Sequence, residues 1–235
     1  MKTKIAICLL VISFLTINGF MLKSTEAVQS IENTVGNFTG IVLKTFANLY
    51  IKQGDKTEIR IEKEDNKSSV ILTEIKNNNL IIYSNADLKI QHPVSVYITV
   101  KDITMIELSG SGSIKMNNQL KSNNLELKLS GSGNIDANVE SKILKIHLSG
   151  SGNVELKGKT SETAIDISGS GNVNGKDFKT FSSTINISGS GTTTVDVEDN
   201  LVVEITGSGN VYYISDPERI QAKSRGSGRV EKIKA

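Results

Sequence analysis

A four-residue unit, Ser-Gly-Ser-Gly, begins at Ser109, Ser130, Ser149, Ser168 and Ser188, and two variants follow at Thr206 and Arg225. Successive copies are 21, 19, 19, 20, 18 and 19 residues apart. Self-similarity at a near-constant period of this size marks a stacked repeat, in which no unit can bury its apolar face alone. Aligned on the first residue of the motif, the preceding position holds Leu108, Leu129, Leu148, Ile167, Ile187 and Ile205. Two residues further back lie Ile106, Leu127, Ile146, Ile165, Ile185 and Val203. A polar column of Glu107, Lys128, His147, Asp166, Asn186, Glu204 and Lys223 separates them. Apolar and polar residues therefore alternate with period two, the signature of a strand with one buried face.

The apolar column resumes five positions after each motif starts, at Ile114, Ile135, Val154 and Val173, then Thr193, Val211 and Val230. Each repeat reads as strand, glycine corner, strand. Stacking such units about 4.8 Å apart closes the backbone ladder and sets like residues on like. The expected fold class is all-β: a β-solenoid with coils of about 20 residues, wound as a right-handed parallel β-helix because parallel crossovers take that hand.

The glycines fit this reading as corners, and 14 of the 20 in the chain lie in the motif copies. They are Gly110 and Gly112, Gly131 and Gly133, Gly150 and Gly152, Gly169 and Gly171, Gly189 and Gly191, Gly207 and Gly209, and Gly226 and Gly228. A corner of this kind needs residues that accept positive φ and put no Cβ into the core. Asn134, Asn153, Asn172 and Asn210 follow four of the corners and predict an asparagine ladder. Phosphate binding does not fit. The third glycine of a dinucleotide fingerprint is missing, no Lys-Ser/Thr pair completes a P-loop, and strand-like sequence follows every copy.

Before the repeat, residues 48–54, 57–62, 69–75, 79–83 and 94–100 read as strands separated by polar turns. Such a segment suits an irregular β cap, which would cover the exposed edge of the solenoid. Pro217 predicts a loop within the last coils. The expected organisation is a signal peptide over 1–27 and one β-solenoid domain over 28–235. Within that domain, 31–108 form the cap and first coils and 109–235 the repeat coils. The leader reading rests on Lys2 and Lys4, an apolar run over 5–22, and small residues around Ala27. Ser13, Thr16, Asn18 and Gly19 interrupt that run, so no integral membrane span is expected once it is removed.

Cys8, the only cysteine, lies inside the leader, so disulfides have no part in the mature fold. Three lysines and one glutamate among the first 27 residues leave 24 basic and 24 acidic side chains. That balance supplies no electrostatic attraction for nucleic acid. With no Trp and few aromatics, stacking platforms are not expected either.

The stretch VGNFTGIVLKTFANLYIKQGDKTEIRIE (residues 35–62), the NNNLIIY strand and the serial Ser-Gly-Ser-Gly-Asn copies resemble the bacterial family described as "putative auto-transporter adhesin, head GIN domain". The resemblance covers nearly all of the chain after the leader. It implies an exported, β-helical, adhesin-like protein and brings no catalytic residues with it.

Chemistry on such a fold would sit in outward columns. His147 and Asp166 fall on adjacent coils as one candidate pair, and Asp136 and Glu155 as another. The first pair has the composition of an acid–base couple, and the second that of a calcium or glycosidase carboxylate pair. Opposite charges such as Glu107 with Lys128, or Glu126 with Lys145, would serve as register-fixing ladders. No nucleophile–base set, cofactor motif or metal-ligand pattern is evident. The expected function is a non-enzymatic binding module of the cell envelope, secreted, periplasmic or at the cell surface, with glycans or surface polymers as partners. A β-helical polysaccharide lyase or hydrolase is the alternative.

Overall fold

The computed structural model describes residues 29–34, 37–63, 71–84 and 94–234, and the leader over 1–27 lies outside them. No helix occurs among the described residues, so none is long and apolar enough to cross a membrane. The first nine strands are β1 (Gln29–Thr34), β2 (Gly40–Leu43), β3 (Ala47–Gln53), β4 (Glu58–Lys63), β5 (Ile71–Lys76), β6 (Asn79–Ser84), β7 (Val94–Val100), β8 (Met105–Gly110) and β9 (Ser113–Met116). Long strands follow as β10 (Leu120–Gly131), β11 (Asn134–Gly150), β12 (Asn153–Gly169), β13 (Asn172–Gly189) and β14 (Thr192–Gly207). The chain ends in β15 (Asn210–Tyr213), β16 (Arg219–Gly226) and β17 (Arg229–Lys232), with Pro217 in the turn before β16. All belong to one sheet that winds as a β-solenoid.

From β8 onward every neighbouring pair is parallel and in register by motif: Gly110, Gly131, Gly150, Gly169, Gly189, Gly207 and Gly226 form one column. Inside the coils the aligned columns of Ile, Leu and Val are almost fully buried, as with Ile146, Ile165 and Ile185 at 0% exposure. Alternation along each strand thus becomes a continuous apolar core.

The two glycines of each corner do different work. Gly150 has φ +114°, a conformation that effectively only glycine adopts, and is half-buried at the bend. Gly152 is buried with ordinary φ, but a Cβ there would meet the Gly133 carbonyl oxygen at 2.5 Å and Leu129 Cδ2 at 2.7 Å. The first glycine turns the chain and the second lets adjacent coils approach.

A second corner, which the sequence reading passed over, lies across the coil. Asn123, Lys142, Ser161 and Phe181 drop out of pairing there, each preceded by a hydroxyl residue: Ser122, Ser141, Thr160 or Thr180. Ser122 Oγ donates to the Asn124 carbonyl at 2.9 Å, Thr160 Oγ1 to Glu162 at 3.2 Å and Thr180 Oγ1 to Ser182 at 2.8 Å. Each hydroxyl satisfies a carbonyl that the bend would otherwise strand.

The N-terminal strands are partly coil and partly cap. β2 and β3 lie parallel between the coil of β8 and β9 and that of β6 and β7, so spatial order departs from chain order. Ile41 and Leu43 extend the columns of Ile106 and Leu108, and Leu49 extends that of Ile114. The stack then closes with antiparallel strands: β5 on β6, β4 on β7 and β1 on β4.

Two positions of the repeat coils place an unpartnered hydroxyl in the core, Ser183 and Thr193. Thr193 is fully buried between Val173 and Val211, and its Oγ1 has no hydrogen-bond partner. A stranded hydroxyl carries a desolvation penalty that an isosteric methyl does not. Thr193→Val is therefore expected to raise stability by about 1 kcal/mol, read as a higher urea midpoint at unchanged slope.

Candidate surface groove

The outward residues on either side of each buried Leu or Ile of the motif strand form a groove of about 450 Å³ across four coils. One wall is the polar column His147, Asp166, Asn186 and Glu204, and the other is Ser149, Ser168, Ser188 and Thr206. Both walls arise directly from the repeat, because in-register stacking converts a recurring position into a ladder.

The ionic wall is internally paired. His147 Nδ1 lies 3.3 Å from Asp166 Oδ2, and its Nε2 lies 3.3 Å from Glu126 Oε1 on the preceding coil. Asn186 Nδ2 donates to Asp166 Oδ1 at 2.8 Å, and Arg225 Nη1 donates to Glu204 Oε1 at 2.5 Å. Lys128 lies beside Glu107 in register, as expected, while its ammonium reaches Glu126 two residues away on its own strand, at 3.1 Å. Glu126 thereby joins Lys128 and His147 rather than Lys145. The hydrogen bonds of this face run among the ionic and amide groups, and the exposed hydroxyls of the opposite wall are left to solvent.

Asp136 and Glu155 also come together, in a different column: Lys115, Asp136, Glu155 and Asn174 occupy successive coils. Glu155 Oε2 accepts a hydrogen bond from Asn174 at 2.9 Å, away from Asp136. Among the described residues, no three His, Cys, Asp or Glu side chains converge as metal ligands.

That column continues toward the N-terminal end into an aromatic stack absent from the sequence reading. The rings of Tyr50 and Tyr97 stack at 4.9 Å, with the Arg60 guanidinium 4.2 Å from the Tyr97 centroid. Tyr50 is spent on Tyr97, and Tyr97 on both Tyr50 and Arg60. The stack fastens register between β3, β7 and β4.

Two further ladders mark the fold. Asn153 donates to Asn134 at 3.1 Å and Asn172 to Asn153 at 3.0 Å, the asparagine ladder expected after the corner, while Thr192 separates Asn210 from it. Glu140 lies between Lys159 at 3.2 Å and Lys121 at 3.3 Å, and their ammonium groups hold its carboxyl below the ordinary glutamate range, Lys159 foremost. A carboxyl depressed in the folded state stabilises above its unfolded value, and this is lost as pH falls through the folded one. Glu140→Gln is thus expected to lower the melting temperature slightly at neutral pH, with the difference vanishing in acid and in high salt. Thermal melts across pH would show this.

Comparisons with known proteins agree with this architecture. The family model described as "Putative auto-transporter adhesin, head GIN domain" matches residues 37–217. A solved structure from Bacteroides fragilis, described as a putative adhesin, superposes with TM-score 0.81 at 23% identity, over 89% of this chain and 98% of that one. One from Parabacteroides distasonis, described as a putative lipid binding protein, gives 0.73 at 22% identity over the same shares. A putative adhesin from Parabacteroides merdae gives 0.68 at 21%, again over 89% and 98%. No curated protein sequence matches the chain.

Proposed function

Because this chain belongs to the family described as "putative auto-transporter adhesin, head GIN domain", we propose that it is an exported, non-enzymatic binding module that presents its outward ladders to glycans or other surface polymers. The observation that carries this reading is the groove across four coils, whose polar groups repeat at the spacing of the stack. A repeating surface suits a repeating ligand, since each coil contributes one similar weak contact and the contacts sum along the chain.

The pairing within the groove argues against acid–base chemistry. His147 is engaged on both ring nitrogens by carboxylates, so neither nitrogen is offered to a substrate. Glu155 accepts a hydrogen bond from Asn174, and the column of Asp136 and Glu155 lies outside the groove. Export is supported by the basic, apolar and small-residue succession of the first 27 residues.

Glycan arrays and whole-cell binding with the purified mature chain test the proposal. Selective retention on a subset of polysaccharides is the expected result, with Asp136→Ala/Glu155→Ala leaving every polymer unhydrolysed as before. Silence across broad panels, or polymer turnover abolished by that double variant, would sink it.

A further inference from the structure

Resting on the glycan reading above, we infer that the groove takes a neutral, linear polysaccharide laid along the solenoid axis, one sugar per coil, over four coils. Three observations converge on this ligand.

The first is direction. Ser149, Ser168, Ser188 and Thr206 repeat along the stack, about 4.8 Å apart, facing an equally periodic wall. That step is comparable to the rise of one ring in an extended pyranose chain. A polymer across the coils would meet unlike residues at each step, whereas one along the axis meets the same groups repeatedly.

The second is charge. His147, Asp166, Asn186 and Glu204 are already bound to one another or to Glu126 and Arg225. The groups left to bind a ligand are hydroxyls, which donate and accept but carry no charge. A polyanion would have to break existing pairs to gain a cation, and a polycation would compete with His147 and Arg225 for the carboxylates. A polyol would not.

The third is length. On the next coil Arg225 stands in the serine position, in register with Thr206, and its guanidinium turns back onto Glu204. This side chain ends the open wall. At the opposite end the serine column continues to Ser130, in register with Ser149, but the groove itself stops at the coil of His147 and Ser149. The groove therefore offers four hydroxyl positions, Ser149, Ser168, Ser188 and Thr206.

Calorimetric titration of β-linked glucose and N-acetylglucosamine oligomers of one to six units reads these features directly. Affinity is expected to rise severalfold with each unit up to four and then level off, with little change between low and high salt. Ser168→Arg, an exposed site whose substitution leaves the core untouched, should weaken the tetramer at least tenfold. Arg225→Ser should move the plateau from four units to five.

Oligomer binding that ignores both substitutions, or that does not depend on length, would overturn the axial groove while leaving the glycan reading intact. Binding that collapses with salt would point instead to a charged polymer and overturn neutrality. If no oligomer binds and no surface polymer is retained on the array, the glycan reading itself fails, and this inference with it.

Discussion

Gly150→Ala is expected to destabilise the protein by about 4 kcal/mol, and the same change at Gly110 by about half as much. Both glycines sit at positive φ, +114° and +129°, so alanine at either incurs backbone strain of about 1–3 kcal/mol. They differ in what lies behind them. A Cβ at Gly150 would come 2.5 Å from the Gly131 carbonyl oxygen, and one at Gly110 would have nothing within 4 Å. Gly131 cannot easily withdraw, because its carbonyl accepts from Ser151 N and Gly152 N, each at 3.0 Å. The overlap adds roughly 1–3 kcal/mol, typical of overpacking in a close-packed interior. Urea unfolding of the two variants separates strain from stacking. Equal losses would mean that coil-on-coil contact does not govern the column.

Removal of one whole coil is expected to leave a folded, shorter solenoid, whereas removal of half a coil should unfold it. Deleting residues 153–171 joins Gly152 to Asn172 and sets β13 directly on β11. Both are already registered through β12, with Asn134 on Asn153 and Asn153 on Asn172. Apolar column then meets apolar column, and the corners coincide. Deleting only residues 153–162 puts the inward-facing Thr163 and Ile165 in the outward places of Asn153 and Glu155, and brings the next corner half a coil early. Side chains would then face the carbonyls that only glycine can approach, as at Gly152, where a Cβ would fall 2.5 Å from Gly133 O. Each coil contacts only its neighbours, so the full-coil deletion sacrifices two interfaces and gains one. Circular dichroism with urea melts would report a β signal and cooperative unfolding for the first variant and neither for the second.

The repeat coils were legible in the sequence because their determinants are local and recurrent. Leu129, Leu148 and Ile167 announce a buried column, and the glycines announce the bend, without knowledge of any distant residue. The division of labour between Gly150 and Gly152 was not legible, since φ and steric clearance both read simply as glycine. The second corner did leave a signal: Ser122, Ser141, Thr160 and Thr180 recur at the same interval as the motif. Hydroxyl residues are frequent in this chain, however, and the bracing bonds of Ser122, Thr160 and Thr180 to carbonyls two residues on appear only in the structure.

Spatial order at the N-terminal end had no local determinant. The position of β2 between β6 and β8, and of β3 between β7 and β9, is fixed by contacts about 40 to 65 residues apart in sequence. In the groove, the columns containing His147 and Asp166 were predictable from the period. The choice of Lys128 for Glu126 over Glu107 was not, because rotamers on one strand compete with those on the next.

Register between equivalent positions on successive coils underlies the core, the corners and the groove alike, and paired cysteines measure it most directly. In a Cys8→Ser background, Ser149→Cys/Ser168→Cys places thiols on adjacent coils, about 4.8 Å apart along the stack. Ser149→Cys/Ser188→Cys places them two coils apart, about 9.6 Å, beyond the reach of a disulfide. Mild oxidation should close the first pair within the monomer and leave the second as free thiols. An open first pair, or equal closure of both, would contradict the in-register stack.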